Sequence, residues 1–381
     1  MKRLLFFFAF TLLGTCCERA SNPGRLNPVL DPSYENVFLK GGDISMLSLV
    51  EKNGGKYYWD GVETDCVKLL AQNGFNIVRL RLYNDPGNAN HWPSSRMYSG
   101  IDDENDILVL AKRAKDEGLQ IELTFHYSDF WTNGGDQYKP HSWESLSFPS
   151  LKTQVYEYTK AFLQKMVDQG TAPEYVSLGN EIQAGLLYPD GSVTTSTKQT
   201  AELLAAGSKA VREVTPNAKV VIHLAGAGDT SGYFWFFGEM RKYKLDYDII
   251  GSSYYPFWTE NSIEQMAEWA DNIGKAFGKP ILLMETGFAW TELAADGEGA
   301  QISHNKPYSI GVQDQKDFME QLFKAIAASK WLIGDLYWDP IFIPAGDTGW
   351  LPGERNVVSN STLFDFEGNA LEVFDAFKKQ Y

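Results

Sequence analysis

Cysteine is nearly absent from this chain of 381 residues. Only Cys66 lies beyond the N-terminal pair Cys16 and Cys17, so the body of the chain has neither a disulfide framework nor a cysteine-built metal site. Histidine is scarce too, at 5 residues, and no HExxH sets two of them one turn apart for zinc. The GxGxxG, Walker and GxSxG patterns are missing, which argues against a nucleotide loop and a serine nucleophile elbow. Positive charge is the last deficit: 34 Lys and Arg face 49 Asp and Glu, a net charge of -15. Phosphate backbones need a basic face, so no nucleic-acid partner is expected, whereas a neutral substrate is compatible.

The first residues read MKRLLFFFAFTLLGTCC. Lys2 and Arg3 precede an apolar run, Leu4 to Leu13, that is too short to span a bilayer as a mature helix. Leu13-Gly14-Thr15-Cys16 resembles a lipobox, although Thr15 is an unusual residue before a lipidated cysteine and Cys17 is an alternative site. The expectation is a lipoprotein-type signal peptide over residues 1–16, then a Pro- and Asn-rich tether over residues 17–36. The protein would be exported and held at the cell surface or outer membrane by that anchor alone, with a periplasmic or secreted form as the alternative. No later segment is apolar enough to cross a bilayer.

Hydrophobic residues make up 44% of the chain, which suffices for a large core. Aromatics reach 14%, including 11 Trp and 19 Tyr, and suit either a dense core or stacking platforms in a cleft. From Val37 onward short apolar runs alternate with amphipathic stretches. The runs are Val37–Ser45, Phe75–Leu82, Gln120–Tyr127, Tyr175–Gly179, Lys219–Leu224, Ile249–Tyr255, Pro280–Glu285 and Leu332–Trp338. Strands buried on both faces look like this. Helical stretches such as Glu104–Glu117, Leu151–Gln169, Lys198–Val214 and Gln313–Ser329 lie between them, and Gly74, Gly118 and Gly170 stand where C-caps are wanted. Eight β/α units predict an α/β fold: a single (β/α)8 TIM barrel over residues 37–381, with long βα loops around a cleft and Leu371–Lys379 closing it. An open doubly wound sheet is the alternative, but its glycine-rich loop is missing. A monomer is expected.

A barrel puts its chemistry just past the C-terminal ends of the strands. Those junctions carry Asp43, Arg79, His126, Asp129, Trp131, Asn180, Glu181, Tyr254, Tyr255, Glu285 and Trp338. In "VSLGNEIQAG" the Asn180-Glu181 pair could be a helix cap. In "KPILLMETGF" Glu285 likewise ends an apolar run, where a lone carboxylate is costly. Together, strands four and seven would set the two carboxylates across one mouth, as glycosidic bond cleavage requires. A gap of about 5–5.5 Å makes one of them a nucleophile, and roughly 6.5–9.5 Å admits a water. Asn180 could then meet a sugar 2-hydroxyl, and Arg79 could hold the nucleophile charged. Only one of Tyr254 and Tyr255 can point inward. His126 is either a sugar contact or a core histidine, while His91, His141 and His223 are read as structural.

The motifs "GGDISML", "GFNIVRLRLYNDP", "LTFHYSDFWT", "SLGNEIQAGLLYPDG", "SSYYPFW", "METGFAW" and "LFDFEGNAL" occur in order from about Phe38 onward. The set resembles the endo-β-1,4-galactanases of glycoside hydrolase family 53, also called arabinogalactan endo-β-1,4-galactanases. The resemblance implies retaining cleavage of the β-1,4-galactan side chains of pectin, with Glu181 as acid/base and Glu285 as nucleophile. It also implies that Asp43, Arg79, His126, Asp129, Trp131, Asn180, a strand-six tyrosine and Trp338 line the sugar site. No cofactor is expected for catalysis. Bacterial relatives often hold a structural calcium after strand seven, and here Asp296, Glu298, His304, Asn305 and Asp365 are the candidate ligands in a stretch that departs from that pattern. The alternatives are a barrel glycosidase for another β-1,4-glycan, such as a glucan or mannan, and a surface glycan-binding protein that lost catalysis.

Overall fold

The computed structural model describes residues 29–87 and 97–381. The expected signal peptide, both lipidation candidates, most of the tether and His91 lie outside those residues. Eight parallel strands close into a barrel: β1 (Leu39–Asp43), β2 (Ile77–Leu82), β3 (Gln120–Phe125), β4 (Tyr175–Leu178), β5 (Lys219–Leu224), β6 (Ile249–Tyr254), β7 (Ile281–Thr286) and β8 (Leu332–Tyr337). Each pairs with its sequence neighbours, and β1 pairs with β8. The expected runs agree with these strands to within two residues at each end: Lys219–Leu224 matches at both ends, Pro280–Glu285 stops one residue short of Thr286, and the others overshoot by one or two.

A ring of helices follows the strands: α1 (Cys66–Gln72), α2 (Glu104–Asp116), α3 (Phe148–Gln169), α4 (Val193–Val214), α5 (Thr230–Lys242), α6 (Ile263–Phe277), α7 (Val312–Ala328) and α8 (Phe374–Lys378). Their ends are chemically specified. Ser262 and Gln265 form a capping box at the start of α6. Gly170 and Gly278 stop α3 and α6 in the left-handed conformation, at φ 79° and 67°. Apolar faces of the helices and the outer strand positions share one core, from Val78 and Leu80 through Phe162 and Phe236 to Phe318 and Phe374. Burying each such side chain contributes roughly 1.5–3 kcal/mol.

The barrel interior is a second, smaller core that includes Leu39, Ile77, Val221, Leu282, Met284 and Leu336. Leu30 and Tyr34 belong to it, so the last residues of the expected tether instead pack onto the floor formed by the strand N-termini. Gly41 shows how tightly the strands close: a Cβ there would lie 2.0 Å from the Ile77 carbonyl oxygen. Glycine at position 41 is therefore a requirement of β1 packing.

Candidate active site

Two local departures from regular strand geometry build the mouth. After β4 the chain turns through Gly179 at φ 90° and Glu181 at φ 50°, a left-handed conformation that costs a non-glycine residue energy. Neighbouring strands hold the turn: Gly179 N donates to the Phe125 carbonyl at 2.9 Å and Ile182 N to the His223 carbonyl at 2.9 Å. Gln137 Nε2 donates to the Asn180 carbonyl at 2.7 Å. On β7, Leu282 and Met284 face the interior, so simple alternation would send Glu285 outward. The β6–β7 register shifts between Ser252 and Ser253 and sets Ser253 beside Glu285. That irregularity re-aims the carboxylate into the mouth.

One carboxylate oxygen from Glu181 and one from Glu285 lie within 4.8 Å of each other and of a His223 ring nitrogen. Glu285 is fully engaged. Arg79 Nη1 donates to its Oε1 at 2.8 Å and the Tyr255 hydroxyl to its Oε2 at 3.0 Å. Arg79 is itself buried, and its Nη2 donates to Asn180 Oδ1 at 2.6 Å. Burial and the nearby carboxylates push the Tyr255 hydroxyl well above its usual range, which keeps it a donor. Glu181 differs. Burial first, and the charge of Glu285 second, raise its carboxyl from the usual 4.5 to about 7. A hydrogen bond from Ser253 Oγ to its Oε1 at 2.7 Å pulls the other way. One carboxyl able to carry a proton at neutral pH thus faces another paired with a fixed cation.

The cleft above them has a volume of about 460 Å³ and includes Trp131, Trp258, Trp338 and Trp350 in its wall. Trp338 stacks on Trp131 with ring centres 6.0 Å apart, and Trp350 meets Trp131 edge-on at 4.6 Å. Flat apolar faces beside polar groups suit pyranose rings.

Asn180, Trp131, Tyr255 and Trp338 reach the cleft wall with the carboxylates. Arg79 stands directly behind Glu285. Four expected contacts are placed elsewhere. The Tyr254 hydroxyl donates to the Asn261 carbonyl at 2.8 Å and the ring packs on Phe318, so Tyr255 is the inward tyrosine. Asp43 lies beneath the arginines, 3.5 Å from Arg79 and 3.3 Å from Arg81. Asp129 accepts from Asp85 N at 3.0 Å and His141 N at 2.8 Å, so it braces loops. His126 is buried against Tyr83 and bonds Thr132 at 2.7 Å; burial first, then Arg79 and Arg81, push its ring well below the usual histidine range. Sequence reasoning missed Ser253, Trp258 and Trp350, and set His223 aside as structural.

The expected calcium ligands do not converge. Asp296 is bound by the Arg355 guanidinium, whose Nη2 donates to its Oδ1 at 2.7 Å. Asn305 spends its amide on the Ala289 backbone at 3.0 and 2.8 Å. Asp365 caps its own turn, accepting from Glu367 N at 3.0 Å and Asn369 N at 2.7 Å. The His304 ring packs against Phe257. Among the described residues no three carboxylate or histidine groups of this set gather as cation ligands. The residues do not fit calcium, because a guanidinium already neutralises Asp296. Nor do Glu181, His223 and Glu285 suit a cation, since Arg79 places a positive charge 2.8 Å from Glu285.

A parallel barrel with an acid and an arginine-paired carboxylate across an aromatic cleft defines a glycoside hydrolase. The chain belongs to Glycosyl hydrolase family 53, whose profile matches residues 39–377. It is 32% identical over 376 residues to the endo-β-1,4-galactanase of Bacillus subtilis (strain 168), covering 90% of this chain and 85% of that protein. It is 29% identical to the arabinogalactan endo-β-1,4-galactanase of Cellvibrio japonicus (strain Ueda107), covering 90% and 94%. Among solved structures, the Ignisphaera aggregans family 53 catalytic domain superposes with a TM-score of 0.84 at 34% identity, covering 90% of this chain and 96% of that one. A fungal β-1,4-galactanase gives 0.77 at 27% identity, with coverage of 90% and 100%.

Proposed function

We propose that this chain is an endo-acting β-1,4-galactanase that retains anomeric configuration. The supporting observation is the approach of the Glu181 and Glu285 oxygens to within 4.8 Å across the tryptophan-lined cleft. That is the short separation of a double displacement rather than the roughly 6.5–9.5 Å that an inverting pair leaves for its attacking water. Glu285 attacks the anomeric carbon as a carboxylate while the bond to the leaving sugar breaks. Glu181 gives its proton to the departing oxygen. Water then attacks the galactosyl ester, Glu181 takes the water's proton, and Glu285 leaves as a carboxylate. Asn180 and Trp338 hold the sugar at the cleavage point. Trp258 and Trp350 extend the apolar wall beyond one residue, which suits attack within a chain.

The test is hydrolysis of unbranched β-1,4-galactan followed by proton NMR. The β-anomer should be the first new reducing end, and Glu181→Gln and Glu285→Gln should each lose at least about 10²–10⁴-fold in kcat. An α-anomer formed first would overturn retention. Reducing ends released from glucan or mannan rather than galactan would overturn the substrate, and galactan binding without products would make the chain a glycan-binding protein. The sequence of residues 1–16 supports export with a lipid at Cys16 or Cys17; mass spectrometry of the mature N-terminus tests it. Among the described residues no helix is long and apolar enough to cross a membrane.

A further inference from the structure

His223 sits mid-run in "KVVIHL" and is fully buried, yet its ring reaches the reacting carboxylates. Its Nε2 lies 2.9 Å from Ser253 Oγ, and Ser253 Oγ lies 2.7 Å from Glu181 Oε1. The main chain of His223 also accepts from Ile182 N, beside the strained Glu181. One residue therefore supports the acid twice, through the backbone of its turn and through a hydroxyl. Nδ1 of His223 meets no partner among the described residues. A buried N–H without an acceptor is costlier than a buried lone pair, so the proton belongs on Nε2.

We propose that His223 and Ser253 are positioning residues for Glu181: the imidazole Nε2–H holds the serine hydroxyl, whose single proton is thereby committed to Glu181 Oε1, so that the exchanged proton travels on Oε2. The inference rests on Glu181 being the acid/base. In the first half-reaction Oε2–H gives its proton to the leaving oxygen. In the second, Oε2 takes a proton from water. Oε1 accepts from Ser253 throughout, and no proton crosses the serine.

A neutral imidazole suits this task. A charged one would hold Glu181 ionised and disable the acid. Burial first, then Arg79, drives the His223 ring well below the usual histidine range. The groups around the pair agree with that state. Arg79 stands on β2, His126 just past β3, Tyr233 on α5 with its hydroxyl 2.6 Å from Ser252 Oγ, Tyr255 just past β6 and Glu285 on β7.

Ser253→Ala tests the proposal. On galactan, kcat should fall about 10–100-fold with KM within about two-fold, because orientation of the acid is lost while sugar contacts remain. On an aryl β-galactobioside whose leaving group needs no proton, the loss in kcat/KM, which reports the first half-reaction alone, should stay within about three-fold. The basic limb of the galactan pH profile should move to higher pH, since a hydrogen bond that favours the carboxylate has gone. Ser253→Thr should restore the profile, and His223→Gln should outperform His223→Leu because its amide can still donate. Equal losses on both substrates with an unmoved pH profile would overturn the positioning role. Glu181→Gln run alongside separates the two ideas. Retained galactan hydrolysis by that variant would sink the acid assignment itself; an inactive Glu181→Gln beside a Ser253→Ala of wild-type activity would sink only the positioning role.

Discussion

Neutralising one carboxylate at this mouth should change the proton affinity of the other. Glu181 is raised from 4.5 to about 7, first by burial and second by the negative charge of Glu285. Two unit charges 4.8 Å apart interact by roughly 0.9 kcal/mol at a dielectric of 80 and about 3.5 kcal/mol at 20. At 1.36 kcal/mol per pH unit, that spans about 0.6 to 2.5 pH units. Burial is the larger cause, so the lower half of the range applies. Glu285→Gln keeps the shape and deletes the charge, and Glu181 in that variant should titrate about one pH unit lower, near pH 6. The assay is a carboxyl carbon NMR titration of protein labelled at glutamate Cδ, with Glu181 assigned by the signal missing from Glu181→Gln. The same fall should follow esterification of Glu285 by a 2-fluorogalactoside, and it would convert Glu181 from acid to base midway through each turnover. A Glu181 titration that stays put or rises in Glu285→Gln would refute the charge coupling on which this reasoning depends.

Other outcomes follow from the same geometry. Because folding raises the Glu181 carboxyl to about 7, the folded state is penalised as pH climbs from 4.5 through 7, and the penalty is complete above that. Glu181→Gln should therefore melt higher than wild type at pH 8, by about 1–2 kcal/mol after allowing for solvent in the cleft and the altered Ser253 contact, with the advantage gone at pH 4; calorimetry at both values decides. Trp258 is 55% exposed on the cleft wall, so Trp258→Ala should raise KM for galactan about 5–20-fold while leaving Tm within a degree or so; an unchanged KM would remove it from the sugar path. Arg355 and Asp296 are 44% and 42% exposed, so Arg355→Met should lower Tm only slightly, and neither EDTA nor added calcium should move the wild-type Tm.

The barrel was legible because each strand is buried on both faces and therefore reads as a short, mostly apolar run. The two facing carboxylates were legible for the same reason, since a carboxylate directly after such a run has few inexpensive explanations. What eluded the sequence were interactions between junctions. Asp43 and Asp129 stand at strand ends like Glu181 and Glu285, but arginines and loop amides had already claimed them. His223 looked like core because it is core, and only the β6 register reveals that Ser253 carries its influence to Glu181. The calcium expectation failed on Arg355, 59 residues beyond Asp296 and outside any local pattern.

Leu30 and Tyr34 seal the end of the barrel opposite the two glutamates. Any tether leading into these residues therefore reaches the enzyme from behind. A molecule moored by that end presents its groove away from whatever it is moored to, and a long polymer can be drawn across the opening without the supporting surface standing in its path.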